Sequence, residues 1–424
     1  MYSLPVFSAG LTDPAALFGS VAADTPSSAN LTGARDSRLI QCMAPAVQEP
    51  VTIIPVENRR QRMEFIKMPW GLYGDDPYWV PPLIADQREY LNPKRGVFFD
   101  HGEARLFLAR KSGRTQGRIT AHVNHLYDDK YGAETGFFGF FECTEDPHVA
   151  RALVSAAQLY LVERGKRRIS GPMNFGVYDE IGILVQGFDP PPFVMNLHNP
   201  PYYGPLLEQL GFRKAIDWYA YHGYVKDHAQ VNPKLFALKD RLIQRSGVEL
   251  RQIDLKQVER EAAIIRDVFN PAWSRNWGHV PWTQREFDRL VDAVKRIALP
   301  ELSFVAEIQG RPVGIALSIA DANVAIKKIN GRLLPFGFLT MLWGLKKTDR
   351  FRHILMGVLE EYRNRGIEIA FYTNIVENAR QYGYREVEMS NIVETNYPMR
   401  NSLKHFPIRI YKTYRIYEKE IGSI

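Results

Sequence analysis

The stretch MGVLEEYRNRGIEIAFY, residues 356–372, sets the reading of the whole chain. Its leading apolar residues read as a buried strand, and Arg363-Asn364-Arg365-Gly366 follows as a turn. Beyond Gly366, the apolar residues Ile367, Ala370, Phe371 and Ile375 recur at helical spacing, so a helix opens at that glycine. A helix start presents unpaired N–H groups and the positive end of its dipole, which suits a diphosphate. Gly366 lets the backbone approach such a group closely, Arg363 and Arg365 add positive charge, and Glu368 in the first turn opposes it.

Strand and helix alternate outward from this loop. Residues 258–269 have a helical period, 304–307 and 314–319 read as strands, and 353–358 as a buried strand. A helix over 366–381, a strand over 385–392, a short helix over 398–404 and a last strand over 408–417 complete the series. The pattern has an upstream counterpart. ARLFLARKSGRTQGRITAHVN (104–124) and LSFVAEIQGRPVGIALSIADAN (302–323) both read as a hairpin around a Gly-containing turn. The offset from Gly117 to Gly314 returns from Asn199 to Asn396, in NPPYYGPLLEQLGFRK (199–214) and NYPMRNSLKHFPIRI (396–410). Between these anchors each copy carries a stretch the other lacks, 177–198 in the first and 332–348 in the second. The expectation is a mixed-sheet α/β (α+β) fold in two tandem domains, 51–228 and 229–424. A tail over 1–50, rich in small polar residues and without period, precedes them, and initiation at Met43 would remove most of it.

The place in the first copy that corresponds to the loop is FFGFFECTEDPHVARALVSAA (137–157). It has no Arg-x-x-Gly, and Glu145 and Asp146 put negative charge where a phosphate would sit, so this half is expected to be degenerate.

Composition agrees with two cored domains: 424 residues, 45% hydrophobic and 24% charged. The formal net charge of +7 favours an anionic partner, a phosphorylated cofactor or an anionic membrane face; the positive charge is dispersed and no nucleic-acid-reading motif is present. Cys42 and Cys143 make no disulfide framework, which points to a reducing, cytoplasmic compartment. LLPFGFLTMLWGL (333–345) is too short to cross a bilayer. Arg332 bounds it on one side and Lys346, Lys347, Arg350 and Arg352 on the other. It reads either as an element dipping into a membrane interface or covering an acyl chain, or as a buried core hairpin. WSRNWGHVPW (273–282) is expected to line the same region.

The Arg363-x-x-Gly366 loop resembles the acyl-CoA loop of the GNAT superfamily, which runs Arg or Gln, two residues, Gly, one residue, then Gly or Ala; the last small position is Glu368 here. The element order around it is also that of the GNAT fold. FFDHGEARLFLAR, GRITAHVN, GFFGFFE, GPMNF, NPPYY, MGVLEEYRNRGIE and YKTYRIYEK resemble a large bacterial family of GNAT-like proteins. Bacterial ceramide synthases, which acylate a sphingoid-base amine from a fatty acyl-CoA, are similar to it in being GNAT-like. The resemblance implies two tandem GNAT-like domains, with the second binding acyl-CoA through Met356, Gly357, Val358, Arg363, Asn364, Arg365, Gly366 and Ile367. The thioester carbonyl would meet a backbone N–H within 355–358. The first domain would serve as a substrate wall, as in N-myristoyltransferases and Fem-type aminoacyltransferases.

The implied reaction is N-acyl transfer from a CoA thioester to an amine by direct attack, with a fatty acyl group and a sphingoid base as the expected pair. A small-molecule N-acetyltransferase using acetyl-CoA and a non-catalytic acyl-CoA or lipid-binding protein are the alternatives. Such transfer needs a base for the amine and a proton for the leaving thiolate. Glu394 in SNIVETN, or Glu388 on the same strand, is the candidate base, and Tyr397 or Tyr382 the candidate acid. Two further groups hold titratable residues: Asp100, His101 and Glu103 in FFDHGEA, and Asp179 and Glu180 upstream of His198. Their spacing fits no metal motif, and no Ser or Cys nucleophile signature occurs. Expected partners are acyl-CoA, an amine substrate and the anionic inner face of a membrane.

Overall fold

Runs of alternating β-rich residues bounded by glycine turns become strands, and the runs of helical period become the helices that cover them, in a computed structural model that describes residues 49–422. The expected tail falls almost wholly outside the described residues. The first half contains β1 (Thr52–Pro55), α1 (Arg59–Leu72), α2 (Ile84–Tyr90), β2 (Gly102–Lys111), β3 (Arg114–Asn124), α3 (His125–Tyr131) and β4 (Thr135–Cys143). It continues with α4 (Pro147–Val162), β5 (Arg168–Gly171), β6 (Ile183–Gln186), α5 (Tyr203–Gln209) and β7 (Arg213–Tyr224). The second half has α6 (Pro233–Ser246), β8 (Val248–Gln252), α7 (Val258–Trp273), α8 (Gln284–Val294), β9 (Phe304–Ile308), β10 (Arg311–Ala320), α9 (Asn323–Ile329) and α10 (Gly337–Lys347). It ends with β11 (Arg350–Val358), α11 (Ile367–Gln381), β12 (Glu386–Val393), α12 (Tyr397–Leu403) and β13 (Ile408–Glu420).

All the strands join one sheet in the order β1-β2-β3-β4-β5-β13-β7-β12-β11-β10-β9-β8, with β6 beside β13. Each half is an antiparallel run closed by one parallel pair, β4 with β5 and β11 with β12. The last strands are exchanged: β7 pairs with β12, β13 pairs with β5, and the two pair with each other. Each half therefore completes the other's sheet. On one side Leu153, Val154 and Ala157 of α4 pack over Ile119, Ala121 and Phe138; on the other Ile367, Phe371 and Ile375 of α11 pack over Val313, Ala316 and Phe351. These side chains leave water almost completely, and their burial supplies the main favourable term in folding.

The two extra stretches land where the repeat breaks. Residues 177–198 form a loop that includes β6, and 332–348 fall around α10. The stretch 333–345 is a helix and its lead-in rather than a core hairpin, and none of α10 is buried.

Candidate active site

β11 carries the geometry on which the site depends. It is registered with β10 from Gly314↔Val358 to Ala320↔Phe351, with a bulge at Ile354 between the Leu317↔Leu355 and Ser318↔His353 pairs. On its other edge it pairs with β12 only from Arg350↔Glu386 to His353↔Met389. Past that point the strands part: β12 continues along β7, shifting register between Met389 and Ile392. The β12-facing backbone of residues 354–358 is left without a strand partner and forms the wall of a cavity of about 980 Å³. Met356, Gly357 and Val358 line this cavity, and Ser390, Asn391, Ile392 and Val393 line it from β12. Gly357 is fixed by packing, because a Cβ there would lie 2.1 Å from the Trp273 ring.

The strand ends in a single 3-10 turn (Glu360–Tyr362), and the loop then enters α11. Asn364 (φ 62°) and Gly366 (φ 83°) are both left-handed, which bends the chain sharply into the start of α11. Gly366 is the N-cap of the 15-residue α11 and no side chain caps its first turn. Of the loop residues expected to hold acyl-CoA, Arg363, Asn364 and Gly366 line the cavity. Arg363 turns its guanidinium to the backbone, donating from Nε to the Val358 carbonyl (3.1 Å) and from Nη2 to Ala272 (2.7 Å). Its role in this geometry is to clamp the loop to β11 and α7. Arg365 lies over the Tyr362 ring (5.0 Å), and Ile367 is in the core under α11. Glu368 lines the cavity, and burial raises its pKa against the pull of Arg363, which weakens the repulsion expected from a charged carboxylate.

The corresponding opening in the first half is filled by the chain itself. β4 and β5 part after Phe137↔Ser170, but Met173 N–H donates to the Phe138 carbonyl (2.8 Å) and the Asn174 side chain accepts from Phe140 N–H (2.7 Å). A Cβ on Gly139 would meet the Met173 carbonyl at 2.1 Å. The helix start is closed too: Asp146 caps α4 by accepting from His148 N–H and is paired with Lys111 at 2.5 Å. The signal for the plug was GPMNF, directly after β5, but only folding shows that Asn174 meets an open strand edge.

The titratable groups separate into those that reach the cavity and those that do not. Glu394 accepts from Lys214 Nζ (2.7 Å) and Asp217 N–H (3.1 Å) and does not line the cavity. Tyr397 and Tyr382 are 63% and 56% exposed and likewise stand outside it. Glu388 is fully buried one layer behind the wall, bonded to Asn196 (2.7 Å), Arg352 (3.3 Å) and the hydroxyls of Ser390 and Tyr411. His353 lines the cavity from β11, with Nδ1 3.0 Å from Ser318 Oγ; burial pushes its pKa down to about 3, so the imidazole is neutral.

The first half's loops reach across to α8. Asp100 pairs with Arg285, His101 with Glu286 (2.8 Å) and Asp179 with Arg289 (3.5 Å), whereas Glu103 pairs within its own half with Arg164 (3.1 Å) and His198 with Asp76 (2.9 Å). Glu180 lines the cavity, as Asp179 and Glu286 do, but differs from these carboxylates in its partner: it accepts from Asn174 Nδ2 (2.8 Å), and no described cation lies within ion-pair distance. Burial holds its pKa above the ordinary range, with Glu142 and Asp179 acting in the same direction and Arg118 against them. The neighbouring Tyr178 packs edge-on against Phe269 of α7 (ring centroids 5.1 Å) and joins the cluster that contains Leu355, so this loop lies against α7 at the cavity wall.

The His101–Glu286 pair carries a pH signature. Burial opposes the imidazolium, but Glu286 outweighs it and raises the His101 pKa; burial likewise opposes the Glu286 carboxylate, and His101 lowers its pKa on balance. The pair's stabilisation is thus fully present below the unfolded histidine value of about 6.5 and above the unfolded glutamate value of about 4.3. It fades as pH rises through the raised His101 value. His101→Gln is expected to lower Tm by several degrees at pH 6 and by clearly less at pH 9, in a melting series that compares it with wild type.

No family model matches the chain. It is 37% identical over 370 residues to Protein YghO of Escherichia coli, covering 86% of this chain and 94% of that one. It is 35% identical over 378 residues to the bacterial ceramide synthase of Caulobacter vibrioides, covering 88% and 98%. The chain belongs to the family of these two proteins. In fold, this family member is similar to a tandem GNAT protein from the clavulanic acid biosynthesis pathway (TM-score 0.54, 12% identity, 88% of this chain and 99% of that one). It is also similar to the GCN5-related glucosamine N-acetyltransferase region of a fungal multi-domain β-N-acetylglucosaminidase (TM-score 0.52, 15% identity, 89% and 38%). The family member accordingly has a GNAT-type fold with a mixed α/β sheet. Among the described residues no helix is long and apolar enough to cross a membrane.

Proposed function

We propose that this protein moves a fatty acyl group from acyl-CoA to the amine of a long-chain amino alcohol of the sphingoid type, at the inner, anionic face of a membrane in the cytoplasm. The observation that carries the reading is the unpaired edge of β11 at residues 354–358, opening into a cavity of about 980 Å³ that continues to the α11 start. A cavity of that size is at the top of the roughly 300–1,000 Å³ range for small-molecule sites, far more than an acetyl group needs. Its wall between Phe269, Trp273, Trp282, Leu290, Ile326 and Met341 is apolar, as an alkyl chain requires. The relative named as a ceramide synthase supports the same substrate class.

In this reading the N–H groups at Gly366 and the first turn of α11 hold the CoA diphosphate, and a backbone N–H of 355–358 holds the thioester oxygen as it gains charge. The acceptor amine is presented to the loop of the first half that carries Glu180. Glu180 takes a proton from the attacking amine, the C–N bond forms, the C–S bond breaks, and CoA leaves as the thiol with the proton returned to sulfur. The neutral His353 offers no competing charge to an ammonium group. The test is a purified-protein assay with palmitoyl-CoA and sphinganine. Amide and free thiol should appear in equal amounts, with slower turnover for acetyl-CoA. Faster transfer from acetyl-CoA to a polar amine would make this a small-molecule acetyltransferase, and CoA binding without transfer to any amine would make it a carrier.

A further inference from the structure

Between Ala322 and Thr348 the chain contains Lys327, Lys328, Arg332, Lys346 and Lys347 and no carboxylate. That run holds α9, α10 and the linker between them. α10 turns Met341, Gly344 and Leu345 inward: Met341 and Leu345 pack with Ile326 and Val194, and a Cβ on Gly344 would lie 2.6 Å from Ala325. Its opposite face is also apolar. Leu339, Leu342 and Trp343, preceded by Leu334 and Phe336, stand outside, with Leu334 79% and Trp343 65% exposed. Soluble proteins seldom leave so many large apolar side chains together in water. Lys328, Arg332, Lys346 and Lys347 make no ion pair with a described carboxylate, and Lys347 rests its ammonium over the Trp343 ring at 3.6 Å.

We infer that α10 and its lead-in form a lipid-docking surface: the outer side chains enter the headgroup region of an anionic membrane, and the flanking cations meet lipid phosphates. The pairing of apolar tips with uncompensated cations commits the surface to an anionic bilayer, since a protein partner of ordinary composition would not neutralise four cations at once. The helix has a second function through its inner face. Met341 is part of the cavity wall, as are Ile326 of α9 and Leu290 of α8, so α10 separates the bilayer from the apolar end of the cavity. A shift of α10 away from α9 opens that end to the membrane, and an amine lipid passes from bilayer to cavity without crossing water.

This inference rests on the lipid-substrate reading, and the experiment separates the two. Full-length protein is sedimented with vesicles of phosphatidylcholine alone and with one-third phosphatidylglycerol. Wild type is expected to partition onto the anionic vesicles at least about tenfold more strongly. Leu342→Asp/Trp343→Asp is expected to lose that binding, and Lys346→Gln/Lys347→Gln to lose most of the anionic preference. Thermal shift with soluble CoA, read on the same samples, should be unchanged and reports that the variants are folded. Wild-type protein that stays in the supernatant, or a double-Asp variant that still sediments, overturns the inference whatever the acyl-transfer assay gives. Light scattering supplies the remaining outcome: a dimer that Trp343→Asp splits assigns the surface to a second copy of the chain and also overturns it.

Discussion

Gly366→Val is expected to weaken CoA binding by about tenfold or more while leaving most of the fold intact. Gly366 sits at φ 83°, and a β-branched residue held there costs on the order of 1–3 kcal/mol. The loop's cheapest escape is to flip out of the left-handed region, which turns its N–H away from the proposed diphosphate position. Each tenfold in affinity is about 1.4 kcal/mol, so loss of one charge-assisted contact plus the reorganisation is enough. Calorimetry with CoA checks it, alongside a melting curve without ligand. Wild-type affinity in a folded variant would detach the loop from the cofactor.

Glu180→Gln is the second large effect. Turnover is expected to fall by about 10² to 10⁴ with CoA affinity unchanged, the range for loss of a positioned proton acceptor. The pH profile of wild type should show an acid limb displaced above the ordinary glutamate range near 4.3, because burial raises this carboxyl, and the variant should lack the limb. The raised pKa also fixes the sign for stability. The unfolded chain releases this proton first, so wild type loses stability as pH rises from the unfolded value through the folded one; Gln removes that loss. The variant should therefore melt at or above wild type at pH 8, which distinguishes lost chemistry from lost fold. Glu394→Gln is the comparison. Its carboxylate is committed to Lys214 and Asp217, so full turnover is expected there.

The parts of the molecule legible in the sequence are those fixed by local chemistry. A glycine opening an apolar helical period located the start of α11, and alternating residues around Gly-containing turns located the β2–β3 and β9–β10 hairpins. Long-range pairing was not legible. β7 and β13 carry similar alternation, and nothing local says that each completes the other half's sheet. Side-chain direction failed where the alternation breaks. The register shift between Met389 and Ile392 changes which face the following residues take, so Glu394, which reads as aimed at the cleft, is committed to the β7 side. Glu180 was visible only as one of two adjacent acids. Its isolation from cations follows from Arg289 pairing with Asp179 across the halves, a contact between residues far apart in the chain. α10 was readable in composition but not in burial, because an apolar run of that length fits a core element as well as an interfacial one.

The proposed reaction requires one grip, that of the α11 start on a diphosphate, and only in the second half, since the first half's opening is filled by Met173 and Asn174. Titration calorimetry comparing CoA with pantetheine, which lacks the diphosphate, tests it most directly. One CoA per chain, bound at least about tenfold more tightly than pantetheine, is the predicted result. Equal affinity for the two, or two CoA molecules per chain, would contradict it.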